Sequence, residues 1–134
     1  MSLVAAAAAV HLVFPLAFLP PSSIGGILLG VAGFLLMLRA WWLFRDARTP
    51  ICPTDDATTL LTGDVYRITR NPMYLGIVMI VLALALFVGS AAFYAAAVVL
   101  FAILNVVFCP YEENRLRAAF PEFDAYAARV RRWI

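Results

Sequence analysis

The chain has 134 residues, of which 65% are hydrophobic and 13% are charged, and all ten of its basic residues are arginines, set against eight acidic residues. Soluble domains carry about a quarter charged residues, so this composition excludes an ordinary soluble protein, and the mean hydropathy of +0.94 excludes a disordered chain. A net charge of +2, with arginines mixed among carboxylates, also excludes a nucleic-acid-binding protein.

Long apolar runs predict four membrane-spanning helices, because a helix needs about 20 residues to cross a hydrocarbon core of roughly 30 Å. The spans are predicted at about residues 3–19, 24–44, 73–88 and 91–109. Pro20 and Pro21 separate the first two spans because proline cannot continue a helix. Gly89 and Ser90 form the turn between the last two. We therefore expect an all-α membrane bundle that forms a single domain over residues 1–134.

The charged side chains predict the orientation of this bundle. All of them lie within residues 39–70 or after residue 109. Because arginine excess marks the cytoplasmic side, the loop at 45–72 and the C-terminal segment at 110–134 are predicted to be cytoplasmic. An even number of spans then places the N-terminus on the same side. We expect a bacterial inner-membrane protein that retains its first span, since the alanine-rich start has no basic segment before it.

Three glycines lie on one side of the second predicted span. Gly26, Gly30 and Gly33 recur at steps of four and three residues, which gives a smooth strip that another backbone can approach closely. The strip is predicted to pack within the four-helix unit, with dimerisation as the alternative. Gly76 likewise admits either a neighbouring helix or a ligand.

Four isolated residues are interpreted as structural. His11 is expected to be a neutral, hydrogen-bonded core residue, and Asn105 is expected to bridge helices. Cys52 and Cys109 lie in no metal-binding pattern and are expected to act as small apolar side chains. The sequence therefore predicts no metal site.

The first polar stretch that could carry chemistry runs from Thr58 to Gly76. Asn71 and Pro72 form the expected start of a helix, with a capping residue followed by proline at the first helical position. The amides of that first turn and the positive end of the helix dipole could bind a carboxylate or phosphate. Arg67 and Arg70 flank this point, although arginines here also follow from orientation alone.

The second polar stretch starts with Pro110, which is predicted to end or bend the fourth span. Glu112 and Glu113 follow, and because successive helical residues are about 100 degrees apart, at most one should face a pocket. One interpretation is a helix N-terminus favoured by negative charge. The alternative is a carboxylate that receives a ligand's ammonium group. An anion site beside a cation site would suit a zwitterion such as the methionine end of S-adenosylmethionine.

The C-terminal segment has an amphipathic pattern that is broken near Pro121. Its apolar residues recur at three- to four-residue steps: Leu116, Phe120, Phe123, Tyr126, Ala127, Val130 and Trp133. Arginines lie between them. Such a segment could lie in the membrane interface or cover a cofactor pocket, and the pattern does not choose between these.

Both polar stretches together carry a recognisable pattern. It reads Leu61-Thr62-Gly63-x-x-Tyr66-Arg67-x-x-Arg70-Asn71-Pro72-Met73-Tyr74-Leu75-Gly76, then, after two spans, Glu112-Glu113-x-x-Leu116-x-x-x-Phe120 and Tyr126. This pattern resembles the isoprenylcysteine carboxyl methyltransferase family and the related phospholipid methyltransferases, over roughly residues 24–134. The resemblance implies an integral membrane enzyme that binds S-adenosylmethionine at the cytoplasmic side, under its C-terminal segment, and methylates a lipophilic acceptor from the bilayer.

The resemblance also implies which residues bind the cofactor. They are Thr58, Thr59, Leu60, Leu61, Tyr66, Arg70, Asn71, Pro72, Met73, Tyr74, Gly76, Glu112 and Glu113. Asn71 stands where many members have histidine, which implies an amide or backbone contact at that point. No catalytic residue is assigned, and the candidates are Tyr74, Glu113 and Arg70.

The acceptor is left open between classes. A prenylcysteine-like carboxylate is the first hypothesis, because it needs no deprotonation and catalysis can consist mainly of alignment. Members that methylate prenylcysteine carry an arginine where this chain has Phe108. The alternatives are methylation of a phospholipid amine such as phosphatidylethanolamine, which requires a base such as Tyr66, Tyr74 or Glu113, and a non-catalytic membrane interaction module.

Overall fold

The computed structural model describes residues 2–15, 20–48 and 58–134. The helices are α1 (Leu3–Val13), α2 (Ser23–Asp46), α3 (Pro72–Val88), α4 (Ala91–Ile103), α5 (Cys109–Ala119) and α6 (Phe123–Arg129). A 3-10 turn at Asp64–Arg67 precedes α3, and a π-helical turn at Leu104–Phe108 joins α4 to α5. Helix accounts for 77% of the structure and the described ranges contain no strand, which confirms the all-α fold.

Two helices are long and apolar enough to cross a membrane. They are α2, with 24 residues, and the helix that runs from Ala91 to Ala119, with 29 residues. Helix α3 has 17 residues and reaches about 26 Å at 1.5 Å per residue, slightly less than the hydrocarbon core. The described residues thus provide two candidate spans, and the prediction of four is confirmed only to that extent.

The first helix is shorter than predicted. Helix α1 has 11 residues and ends at Val13, not near residue 19. Pro15 explains this end, because a residue before proline is driven out of the helical region, and Phe14 has φ −130° and ψ 84°. The predicted remainder of the span, residues 16–19, lies outside the described residues.

The last predicted span is longer than expected. The prediction ended it at residue 109 before Pro110, whereas helix continues to Ala119. The π-helical turn lies directly before α5, and Pro110 is the second residue of that helix. The proline is therefore accommodated within one continuous helix.

The chain divides into two compact units, and the first contains Met1–Leu35 and Gly76–Ile103. In this unit the glycine strip of α2 packs against α3. A Cβ atom on Gly26 would lie 2.9 Å from the Ala83 carbonyl oxygen, and one on Gly33 would lie 2.8 Å from the Gly76 carbonyl oxygen. The predicted close approach is therefore made by a neighbouring helix of the same chain.

Helix α1 packs against α4 in the same unit. Ala7 lies in a buried cluster with Phe93, Ala96 and Ala97, where small side chains allow close contact. The His11 ring lies edge-on to Phe93, with 6.4 Å between ring centroids. Its Nδ1 is buried and has no hydrogen-bond partner within the described ranges, so the prediction of a hydrogen-bonded histidine is wrong for this atom.

The turn between α3 and α4 is as predicted. Gly89 has φ 72°, a left-handed conformation that favours glycine. The start of α2 is capped by Ser22, whose hydroxyl accepts a hydrogen bond from Gly25 N at 3.3 Å.

The second unit contains Leu36–Leu75 and Leu104–Ile134. Its core is formed by Ala40, Tyr66, Phe123 and Tyr126, which are all at least 93% buried. Two of these belong to α6, so the apolar side of the C-terminal segment packs on protein. The break near Pro121 is confirmed, because helix stops at Ala119 and resumes at residue 123. That the two units form one domain stays a prediction.

Candidate functional site

An ion pair fixes the segment before α3 to α2. Arg39 Nε lies 3.2 Å from both carboxylate oxygens of Asp64, and Arg39 Nη2 donates to Asp64 Oδ2 at 2.5 Å. Asp64 has φ 56°, and its Oδ1 also accepts from Val65 N at 2.8 Å. The hydrogen bonds from Arg39 lower the pKa of Asp64 below its usual value. These contacts set the position of the 3-10 turn that carries Tyr66.

Tyr66 is a core residue of the second unit. Its ring lies edge-on to Phe44, with centroids 6.0 Å apart, and its carbonyl oxygen accepts a hydrogen bond from the Tyr126 hydroxyl at 2.7 Å. Burial raises the pKa of Tyr66 and raises that of Tyr126 to about 12. Both hydroxyls therefore stay protonated at neutral pH, which disfavours Tyr66 as a base.

The last five residues, 130–134, form a C-terminal strap over the start of α3. Thr69 Oγ1 donates to the Arg132 carbonyl oxygen at 2.8 Å, and Asn71 Nδ2 donates to the same oxygen at 3.3 Å. The Asn71 carbonyl oxygen accepts from Leu75 N at 2.9 Å, so its backbone begins the helix as predicted. Its side-chain amide nitrogen, however, is used to hold the strap.

Glu113 is buried between two arginines. Arg132 binds its carboxylate with two parallel hydrogen bonds, Nε to Oε1 and Nη2 to Oε2, each 2.8 Å long. Arg70 Nη1 lies 3.4 Å from Oε1. The hydrogen bonds to Glu113 raise the pKa of Arg132. Glu113 thus serves as the anionic centre of a clamp between two cations.

Asn105, in the π-helical turn, ties the strap to the helix. Its Oδ1 accepts from Trp133 Nε1 at 2.9 Å and from Arg132 Nη1 at 3.3 Å. Arg132 Nη1 also lies 3.3 Å from the Asn105 carbonyl oxygen. The prediction that Asn105 bridges two helices is therefore corrected, because its partners lie in the strap.

Glu112 has a different partner from its neighbour. It is half-buried, and its Oε1 accepts a hydrogen bond from the Tyr74 hydroxyl. The Tyr74 ring lies edge-on to Phe108, with centroids 6.3 Å apart. The two adjacent acids thus point to different surroundings, as their 100-degree separation predicts.

Five of the predicted site residues come together around the start of α3. They are Arg70, Asn71, Tyr74, Glu112 and Glu113. Within this group Arg70 Nε is buried and has no hydrogen-bond partner in the part of the chain that the structure describes. The group therefore contains the Glu112 carboxylate and the Arg70 guanidinium, whose Nε is a donor without a partner among the described residues.

The other predicted cofactor residues have structural surroundings. Leu60, Leu61 and Met73 pack against the core of the second unit, and Pro72 is fully buried. Packing of this kind is a sufficient reason for their apolar character.

Three further predicted residues lie elsewhere. Thr58 and Thr59 are exposed at the start of the described segment. Gly76 belongs to the first unit, where its carbonyl oxygen faces Gly33. Gly76 thus contacts a neighbouring helix, and its role toward a ligand stays a prediction. Of the cysteines, Cys109 is a buried free thiol and Cys52 lies outside the described residues.

The sequence interpretation missed Arg132 and Thr69. Arg132 is 19 residues from Glu113 and 63 from Thr69 along the chain, so no local pattern connects them. The sequence pattern placed Arg132 only among the arginines of an amphipathic segment that could lie in the membrane interface or cover a cofactor pocket. The contact of Arg132 with Glu113 could be predicted only by knowing that the strap folds back over the start of α3.

Comparison with known proteins gives a match to a protein family. Residues 21–122 match the family model of the phospholipid methyltransferases, which covers α2 to α5 and both polar stretches. No curated protein and no solved structure matches the chain. The matched region contains all five residues of the group around the start of α3, and the strap lies outside it. The chain therefore belongs to the phospholipid methyltransferase family, a family of membrane methyltransferases that generally use S-adenosylmethionine.

Proposed function

We propose that this protein transfers a methyl group from S-adenosylmethionine to a carboxylate of a lipophilic acceptor of the isoprenylcysteine type. The observation that carries the proposal is the group at the start of α3, in which Glu112 accepts from Tyr74 while Arg70 retains a buried donor without a partner. Family membership supports methyl transfer in general, and the chemistry of this group supports the cofactor.

The residues fit the amino-acid end of S-adenosylmethionine. That end carries an ammonium group and a carboxylate, and a buried donor without a partner is costly unless a ligand satisfies it. We assign the carboxylate to Arg70 Nε and the ammonium group to Glu112. Glu113 is already neutralised by Arg70 and Arg132, so it is the less suitable of the two acids to receive a cation.

The bound cofactor would supply a methyl group already activated by its sulfonium. The protein then needs only to align donor and acceptor and to exclude water. Alignment alone can lower the activation free energy of methyl transfer by several kcal/mol. Glu112 and Arg70 would orient the cofactor, and the C-terminal strap would cover the start of α3.

The state of each candidate base favours a carboxylate acceptor. Tyr66 is buried and neutral, Glu113 is held by two arginines, and the Tyr74 hydroxyl donates a hydrogen bond to Glu112. A carboxylate needs no base, whereas an amine that arrives as an ammonium ion must lose a proton. Among these residues only Glu112 could accept that proton.

Methylation of a phospholipid amine is the second candidate. Two observations favour it: the family match is to phospholipid methyltransferases, and Phe108 is apolar and contacts Tyr74. An aromatic ring cannot form the ion pair with a substrate carboxylate that an arginine at this position would form. In this alternative Glu112 would receive the acceptor's proton instead of binding the ammonium group of the cofactor.

Methyl transfer from labelled S-adenosylmethionine separates the candidates. The protein, reconstituted in lipid nanodiscs, is incubated with a farnesylated cysteine analogue or with phosphatidylethanolamine. We expect base-labile label in the cysteine analogue, as required for a methyl ester. Stable label in the phospholipid headgroup would establish the second candidate. Label in neither would refute methyl transfer to these acceptors and favour a non-catalytic module.

A matched pair of variants links this activity to the site. Glu112→Gln removes the carboxylate that bonds Tyr74, and Glu122→Gln removes an exposed carboxylate at the start of α6. We expect the first to abolish most transfer and the second to leave it unchanged. Equal activities would contradict the assignment of Glu112.

We also propose that the second unit faces the cytoplasm of a bacterial cell. The support is the arginine distribution, because all ten arginines belong to the second unit. A reporter fused after Ile134 should give a cytoplasmic signal. A periplasmic signal would overturn this orientation without affecting the site.

A further inference from the structure

The clamp on Glu113 is asymmetric. Arg132 takes both carboxylate oxygens with hydrogen bonds of 2.8 Å, whereas Arg70 approaches only one of them, through Nη1 at 3.4 Å. The Glu113 and Arg70 side chains are 9% and 15% exposed, so both lie in surroundings where an ion pair is weakly screened. Arg132 is therefore the principal partner of Glu113.

This asymmetry determines what Arg70 has left to offer. An arginine that meets a free carboxylate prefers the bidentate arrangement, which uses two of its nitrogens. Because Arg132 already occupies the carboxylate in that way, Arg70 keeps its Nε unused. Without Arg132, Arg70 would be free to turn toward Glu113 and to consume that donor.

The strap also holds the main chain of Arg70. Arg70 N donates to the Arg131 carbonyl oxygen at 3.0 Å, and the flanking Thr69 and Asn71 side chains both donate to the Arg132 carbonyl oxygen. The same short segment thus restrains Arg70 at its backbone and, through Glu113, at its guanidinium group.

From these contacts we infer that Arg132 is a positioning residue for the cofactor. By occupying Glu113, it keeps Arg70 Nε directed at the carboxylate of the amino-acid end of S-adenosylmethionine. Arg132 itself touches neither the cofactor nor the acceptor. The inference rests on the proposed function, since it assumes that S-adenosylmethionine is the ligand.

Decarboxylated S-adenosylmethionine provides the direct test, because it lacks only the group that Arg70 would bind. Calorimetry on the full chain in nanodiscs gives the dissociation constants of both ligands for the wild type, Arg132→Gln and Arg131→Gln. Arg131 is the matched control, because its side chain is exposed and only its carbonyl oxygen bonds Arg70. We expect the wild type and Arg131→Gln to prefer S-adenosylmethionine by the same factor.

In Arg132→Gln that preference should fall about tenfold, the effect of losing one charge-assisted hydrogen bond. A merely structural role would weaken both ligands equally, and an equal loss, or no loss, would overturn the inference. If Arg132→Gln does not fold, the same preference is measured for Arg132→Lys. Lysine cannot form the two parallel hydrogen bonds to Glu113, so the preference should fall in that variant too. Failure of the wild type to bind either ligand would refute the proposed function instead.

Discussion

Replacing Gly33 with alanine should destabilise the first unit more than any other single methyl addition on α2. The new Cβ would lie 2.8 Å from both the Gly76 carbonyl oxygen and Met79 Cβ, well inside contact distance. Overpacking of this kind costs about 1–3 kcal/mol, and the higher helix propensity of alanine returns about 1 kcal/mol. We expect a net loss of up to about 2 kcal/mol in the free energy of unfolding.

Gly30 is the matched control on the same strip. A Cβ there would lie 3.4 Å from Ala83 Cβ, which is ordinary van der Waals contact, so Gly30→Ala should be neutral or slightly stabilising. The assay is unfolding in mixed micelles by titration with sodium dodecyl sulfate, followed by circular dichroism. Equal effects of the two substitutions would refute the close packing of α2 on α3.

Three further predictions concern the second unit and the turn before α4. Tyr126→Phe should reduce the loss of stability at alkaline pH. The pKa of Tyr126 is raised to about 12 in the folded protein, so its contribution to the free energy of unfolding is complete below pH 10 and is lost between about pH 10 and 12. A pH series of unfolding curves for both proteins measures this difference. The effects of Tyr74→Phe and Glu112→Gln on cofactor affinity should be less than additive in a double-mutant cycle, because both substitutions remove the same hydrogen bond. Additive effects would contradict a hydrogen bond between these two side chains. Gly89→Ala should lower the free energy of unfolding by about 1–2 kcal/mol, since alanine is strained at φ 72°, and an unchanged midpoint would argue against that turn.

The starts of α2 and α3 were predictable because a local signal marks each of them. Pro20 and Pro21 precede α2, and Asn71 with Pro72 opens α3, so both starts fall within a residue or two of the prediction. The end of α1 was missed because Pro15 stands inside an otherwise uniform apolar run. Hydropathy follows composition over about 20 residues and does not register one missing amide donor.

The opposite error occurred at the other proline. Pro110 was expected to end or bend a span near residue 109, yet the helix continues through it to Ala119. Whether a proline breaks a helix depends on the turn before it, and the π-helical arrangement at Leu104–Phe108 has no simple sequence signature.

The candidate site was predictable only in its local part. Arg70 and Asn71 were predicted from the helix start, Tyr74 from the family resemblance, and Glu112 and Glu113 from their position after Pro110. The roles of the two acids depend on the partners they meet. Arg132 reaches Glu113 only because the strap folds back over α3, a contact between segments that are far apart in sequence.

The most direct test of the site is calorimetric titration of S-adenosylmethionine into the wild-type protein in nanodiscs, together with Glu112→Gln and Glu122→Gln. Glu112 accepts the Tyr74 hydrogen bond in the proposed cofactor site, whereas Glu122 is exposed. We predict saturable binding by the wild type and by Glu122→Gln, and affinity at least about tenfold lower for Glu112→Gln. Absence of binding by the folded wild type, or unchanged affinity in Glu112→Gln, would contradict the cofactor site proposed at the start of α3.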